Sequence, residues 1–285
     1  MVSIPGISGA ELVELVTTVF VLSTMFSMGV QVSISQLVNA VRQGSLLTKS
    51  IAVNLVAIPL LAALLVRLIS VEPGYAAGFL LLAVSPGAPF GPKLAEISDS
   101  DVAFASGLMA ILCALSVVTI PVSLVLLLPG SVVVDPLAIG QMVLGIQIVP
   151  LVAGLGLSVS CSSLAARLQP PIQRLSDYTF IGLIVLLVVV YSADMASLVG
   201  TGTLGLSAIA VAVSLALGYG LGGPARATRE VLATTTAARN AAIALFIATT
   251  SFSDPEVLTT VLAFSFIGVV ASGVLATLWR DHSVP

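Results

Sequence analysis

Two basic side chains stand inside stretches that are otherwise almost wholly apolar, and the polar chemistry of the chain gathers around them. Lys93 closes the run Ser85-Pro86-Gly87-Ala88-Pro89-Phe90-Gly91-Pro92-Lys93, which holds three prolines within seven residues. Arg239 follows Thr234-Thr235-Thr236-Ala237-Ala238 and precedes Asn240. A lone cation near the centre of a membrane helix costs roughly 2.5–3.5 kcal/mol even on the lenient insertion scale, so each needs a partner or a ligand. Arginine offers a planar fork of donors that matches a carboxylate, and a lysine desolvated beside a second cation is a candidate for proton exchange. Bond-making chemistry has no such footing. The apolar segments hold no Ser-His pair, no paired Asp and no His cluster, the single histidine is His282 in the tail, and Cys113 and Cys161 fit no metal-ligand spacing. The pattern points to electrostatic capture of a small organic anion, without an enzyme's machinery and without a cofactor. The residues expected to line that site are Pro89, Phe90, Gly91, Lys93, Arg239 and Asn240.

The elements that position these residues follow from composition. Hydrophobic residues make up 58% of the 285 and charged ones 8%, with a mean hydropathy of +1.18. Ordinary soluble domains are about 45–50% apolar and about 25% charged, so the solvent for this chain is lipid. Basic residues are scattered singly and the net charge is −3, which excludes nucleic acid as a partner. The opening MVSIPGISGAELVEL has no basic n-region and reads as a retained first helix edged by Glu11 and Glu14. Segments of about 20 apolar residues, the length a bilayer core requires, number nine: Leu12 to Val30, Leu46 to Ile69, Gly74 to Ile97, Val102 to Leu128, Pro136 to Ser158, Leu175 to Ser192, Thr203 to Leu221, Ala227 to Thr250, and Pro255 to Leu278. No period of two suggests a barrel. Sorted by side, the loops place Arg42, Lys49, Arg167, Arg174, Arg226, Arg229 and Arg280 together and only Arg67 opposite. The positive-inside rule then puts the N-terminus outside and the C-terminus in the cytoplasm of a cell (inner) membrane.

The third span cannot be one continuous helix, because each interior proline removes a donor and crowds the preceding turn. Non-helical backbone at membrane depth survives only against protein or a watery cavity. Single prolines such as Pro59, Pro121 and Pro150 read as packing kinks. The eighth span has no proline, and its threonines can back-bond within an intact helix, but its polar centre suggests a second interruption. Spans one to four and six to nine each carry the unusual helix third and start on opposite faces. We expect a single transmembrane domain with an inverted repeat: residues 11–128, a connecting helix over 136–158, and residues 175–280. Such folds bind solutes at the midplane between crossing broken helices. A channel would need a continuous polar lining, whereas polar residues here form two patches plus neighbours such as Asn54, Ser116 and Thr119. A non-transporting sensor is the other class that this pattern permits.

The Met25-Phe26-Ser27-Met28-Gly29 run, the Ser85-Pro86-Gly87 break and the Arg239-Asn240-Ala241-Ala242 stretch resemble the bile acid:sodium symporter family. The similarity is collinear over nearly the whole chain and corresponds to the nine-helix form. It implies an all-α membrane fold with a six-helix core, two crossing broken helices and a smaller panel, and transport of organic anions by alternating access. It also implies positions equivalent to the family's sodium sites: Asn54, Gly91, Pro92, Ser116, Thr235 and Arg239. Sodium-binding members place Glu and Gln where this chain has Thr235 and Arg239, and Ser and Asn where it has Gly91 and Pro92. Two fixed cations near the missing carboxylate argue against sodium coupling, leaving uniport, anion exchange or proton coupling through Lys93. Arsenite-carrying relatives use a thiol in the first broken helix, and no cysteine lies between Ser85 and Lys93. Oligomeric state is not encoded in any feature of the sequence.

Overall fold

A computed structural model describes residues 8–130 and 132–281, and among them every regular element is helical. Residues 1–7, assigned above to the start of the chain's first segment, and His282 lie outside the described residues. Helix α1, Gly9–Gln31, begins at a capping box in which the Ser8 hydroxyl accepts from the Glu11 N–H and the Glu11 carboxylate accepts from the Ser8 N–H at 2.7 Å. The short α2, Ile34–Arg42, starts from an equivalent box made by Ser33 and Gln36.

Two rods follow one design. In the first, α3 (Gly44–Ala52) passes through a π turn at Val53–Ala57 into α4 (Ile58–Leu68). The first broken helix comes next, as α5 (Pro73–Ala83) and α6 (Gly91–Ile97), and then α7 (Val102–Leu127), capped by Asp101. The second rod is α8 (Pro136–Val143), a π turn at Leu144–Ile148, and α9 (Val149–Ser160). Pro59 and Pro150 each lie just beyond a π turn and explain it. A proline has no N–H for the carbonyl four residues back and crowds it, so the helix widens and the preceding amide reaches five back, Ile58 to Val53 and Val149 to Leu144. These prolines, expected to be simple kinks, thus present Asn54 and Gln147, both wholly buried, within widened turns.

The chain continues with α10 (Ser162–Val190), α11 (Ser192–Ser197), α12 (Thr203–Leu221), the second broken pair α13 (Arg226–Ala238) and α14 (Ala241–Ser251), and α15 (Pro255–Asp281). Helix α10 starts well before the expected Leu175 and runs through Pro170-Pro171. The carbonyls those prolines leave unpaired belong to Ala166 and Arg167, which are exposed, so their loss costs little. Among the described residues eight segments are long and apolar enough to cross a membrane. The ninth expected span is α5 plus α6, whose 11 and 7 residues are each too short to cross alone.

The helices group into two bodies that touch along a seam. Helix α1 packs chiefly on α9 and α10, while α4, α5, α7, α12, α13 and α15 form the other group with α6 between α7 and α13; α1 meets α14, and α8 meets α7, across the seam. A Cβ on Gly29 would lie 2.0 Å from the Leu151 carbonyl oxygen, and one on Gly154 would lie 2.3 Å from that of Phe26. Lipid supplies no hydrophobic drive between helices, so backbone contact through small residues does the joining. The broken pair α13–α14 is the most enclosed, with 94% of its span buried against 17–61% for the other seven.

Candidate functional site

Both broken helices lose their helical path at the same place in space. Between α5 and α6 residues 84–90 leave the helix, and between α13 and α14 only Arg239 and Asn240 do. The second break needs no proline. Arg239 takes φ +45°, a conformation that costs a non-glycine residue of order 1–3 kcal/mol, and this turns the chain. The Asn240 N–H then donates to the Ser85 carbonyl at 2.9 Å, joining the two breaks backbone to backbone. Asn240 Oδ1 caps α14 by accepting from the Ile243 N–H. Where the helices cross, Gly91 is obligatory: a Cβ there would lie 2.7 Å from Thr235 Cγ2 and 2.5 Å from Met109 Sδ.

The Arg239 side chain is 1% exposed and, among the described residues, has no carboxylate within salt-bridge distance. Its guanidinium donates to Asn54 Oδ1 at 3.0 Å, to the Asn54 carbonyl at 3.2 Å, to the Leu82 carbonyl at 3.5 Å and to the Ala83 carbonyl. The last two belong to the C-terminal end of α5, where the helix dipole is negative and carbonyls lack partners. Asn54 in turn donates to Ser50 O and to Thr236 Oγ1 at 3.2 Å. The fixed cation therefore fills a cage of oxygens from two elements, the π turn at Val53–Ala57 and the end of α5. The inward-facing oxygens of this cage already receive guanidinium N–H groups. Thr235 donates its hydroxyl to the Val231 carbonyl at 2.7 Å.

A second polar knot lies on the other side of Asn240. Its Nδ2 donates to Gln147 Oε1 at 2.9 Å, and Gln147 Nε2 donates to Ser116 Oγ at 2.7 Å and to the Cys113 carbonyl at 2.9 Å. Gln147 was not among the expected site residues. Its signal was a polar residue three positions before a proline in an apolar span, parallel to Asn54 five positions before Pro59. Cys113, remote in sequence from the first break, abuts it through a weak thiol donation to the Gly87 carbonyl at 3.6 Å.

Lys93 goes elsewhere. It was expected as a second buried cation beside Arg239, but its side chain is 69% exposed and pairs with Glu96 at 2.7 Å. The reason is the first turn of α6, which starts at Gly91 and turns the lysine outward toward a cavity of about 430 Å³. Pro89, Phe90, Pro92 and Lys93 line that cavity, whereas Arg239, Asn240 and Gly91 do not. The remaining wall was not foreseen: Thr24, Met28 and Gln31 of α1, and Gln173, Ser176 and Asp177 of α10. These are knit together by Thr24–Ser176 at 2.6 Å, Ser27 to Gln173 at 2.7 Å and Gln173 to Asp177 at 2.9 Å. Gln173 and Asp177 are one helical turn apart and share a face with Gln169, a periodicity that sequence alone could have shown.

A second cavity, of about 300 Å³, opens on the opposite face between the start of α1 (Glu11, Glu14), Tyr191, and the end of α14 with Asp254. Along α1 the two cavities are separated by residues 15–23, about 13 Å of helix. Aromatic rings fill that interval: Phe20 stacks on Phe180 at 5.1 Å, and Phe180 meets Phe90 at 5.4 Å.

Known proteins were compared with this arrangement. The profile of the Sodium Bile acid symporter family matches residues 18–201. A rice (Oryza sativa subsp. japonica) protein named "Probable sodium/metabolite cotransporter BASS3, chloroplastic" is 29% identical over 146 residues, 51% of this chain and 34% of its own length. Its namesake from Arabidopsis thaliana is 28% identical over a stretch of the same length. The aligned stretch is about a third of each plant protein.

Proposed function

We propose that this chain, which belongs to the sodium bile acid symporter family, is a secondary membrane transporter that moves a small carboxylated solute by alternating access along the seam between its two helical bodies, without sodium. Alternating access is supported by the pair of cavities on opposite faces of one seam, separated by the Phe20–Phe180–Phe90 contact. Opening one cavity while closing the other needs only relative motion of α1 and α10 against the body that carries Phe90. The larger cavity lies on the face that bears Arg167 and Arg174, which the positive-inside rule assigns to the cytoplasm.

Sodium independence rests on one observation, the guanidinium of Arg239 in its oxygen cage. Backbone carbonyls at a helix C-terminus and an amide oxygen are hard ligands of the kind a sodium ion would take, and here a covalently attached cation occupies them. Arg239 thus completes the crossing rather than gripping the solute, and Lys93 is the cation that meets the carboxylate. Counterflow in proteoliposomes loaded with a mixture of small carboxylates tests this. Exchange should proceed equally in sodium and in choline medium, and a saturable sodium requirement would defeat the proposal.

A further inference from the structure

The charge of the larger cavity narrows its ligand. Its wall carries one cation, Lys93, and two carboxylates, Glu96 and Asp177. Lys93 and Glu96 are already paired at 2.7 Å. Asp177 is exposed to the cavity, its Oδ1 accepts from Gln173 Nε2, and among the described residues no basic group lies within 4 Å of it. Arg239 offers nothing here, since its donors are spent on Asn54 and the end of α5. A simple anion entering this space meets a wall of net charge −1, with its one cation half neutralised. A dianion fares worse.

From this we propose that the solute is zwitterionic: a carboxylate that exchanges with Glu96 for Lys93, joined to a cationic nitrogen that pairs with Asp177. The inference rests on the carrier reading above and refines its substrate class. It accounts for the amide and hydroxyl lining contributed by Gln31, Gln173 and Ser176, which can serve either end of such a molecule without adding charge. A cavity of about 430 Å³ suits a solute of amino-acid size. Lys93 and Glu96 lie on α6, whereas Asp177 lies on α10, so a bound zwitterion bridges the two bodies that move relative to one another.

The test compares ω-amino acids of three to six carbons with unsubstituted monocarboxylates of the same lengths, by thermal shift and by calorimetry on the full chain in nanodiscs. At its best length the zwitterion should bind about ten-fold or more tightly than the matched monocarboxylate, the worth of one charge-assisted contact. Asp177→Asn should abolish that preference while leaving monocarboxylate affinity equal or higher, and Asp177→Glu should retain it. The melting temperature of each variant without ligand verifies folding. If monocarboxylates bind as tightly as zwitterions, or Asp177→Asn leaves the preference intact, this inference is overturned and the carboxylate carrier stands. If neither series binds, both readings fall.

Discussion

Replacing Arg239 by glutamine should convert a sodium-indifferent protein into a sodium-stabilised one. The wild-type guanidinium makes three strong donations, to Asn54 Oδ1, Asn54 O and Ala83 O. Each hydrogen bond from a charged donor contributes about 1.5–3 kcal/mol, and leaving a buried acceptor unpaired forfeits it. Against this, removing the cation relieves a desolvation penalty of several kcal/mol. Glutamine keeps one short amide donor, and the φ of +45° at this position is no easier for it. A net loss of about 3 kcal/mol follows, which lowers Tm by about 6–12 °C for a chain of this size. The vacated cage then presents carbonyl and amide oxygens to solvent ions. Sodium at ten times its Kd would restore about 1.4 kcal/mol, or about 3–6 °C, with no equivalent gain in choline at the same ionic strength. Melting curves of both proteins in sodium chloride and choline chloride measure all four values. An Arg239→Gln protein that melts within about 2 °C of wild type, or a wild type that itself shows a saturable sodium shift, would refute the assignment of Arg239 as a built-in cation.

Two further outcomes are expected. Gln147→Leu removes the bridge between Asn240, Ser116 and the Cys113 carbonyl; it should lower stability by about 2–4 kcal/mol, seen as a Tm loss that Ser106→Ala does not reproduce. Membrane-impermeant maleimide should reach the native, exposed Cys161 only from the cytoplasmic side, and Ala193→Cys in a Cys161→Ser background only from the other; reversed labelling would invert the orientation.

Most of the scaffold could be read from the sequence because lipid imposes a length and a hydropathy on every crossing helix. The break after Ala83 was equally plain, since three prolines leave no alternative. The break at Arg239 was legible only as a polar cluster. Its cause is a backbone torsion stabilised by bonds to residues more than 150 positions away, and no local pattern encodes those partners. Lys93 shows the complementary failure. Its place in an apolar span suggested burial, but the span is in two pieces, and the first turn of α6 aims the side chain into an aqueous cavity. Gln147 escaped notice because one polar residue in an apolar run is unremarkable until its widened turn faces Asn240. The α10 wall of the cavity was hidden for a different reason. Gln173 and Asp177 sit where a boundary drawn at Leu175 made half of them loop.

The separation of charge from solute has a thermodynamic consequence for the proposed carrier. A coupling ion drives transport only if its binding differs between the states that the solute also distinguishes. Were the crossing completed by an ion that can leave, the empty protein and the loaded one would differ at the crossing itself. Here a fixed charge follows α13, and its acceptors lie on α5 and on the π turn between α3 and α4, all within one body. Relative motion of α1 and α10 leaves those bonds intact. The crossing is therefore complete with or without solute, and in the proposed carrier a sodium gradient is expected to favour neither face. The contacts that span the seam, and that such motion would alter, are Phe90–Phe180 and Gln147–Asn240. For the proposed carrier these bonds predict equilibration or exchange, with any accumulation drawn from the gradient of a counter-solute carried by the same cavity.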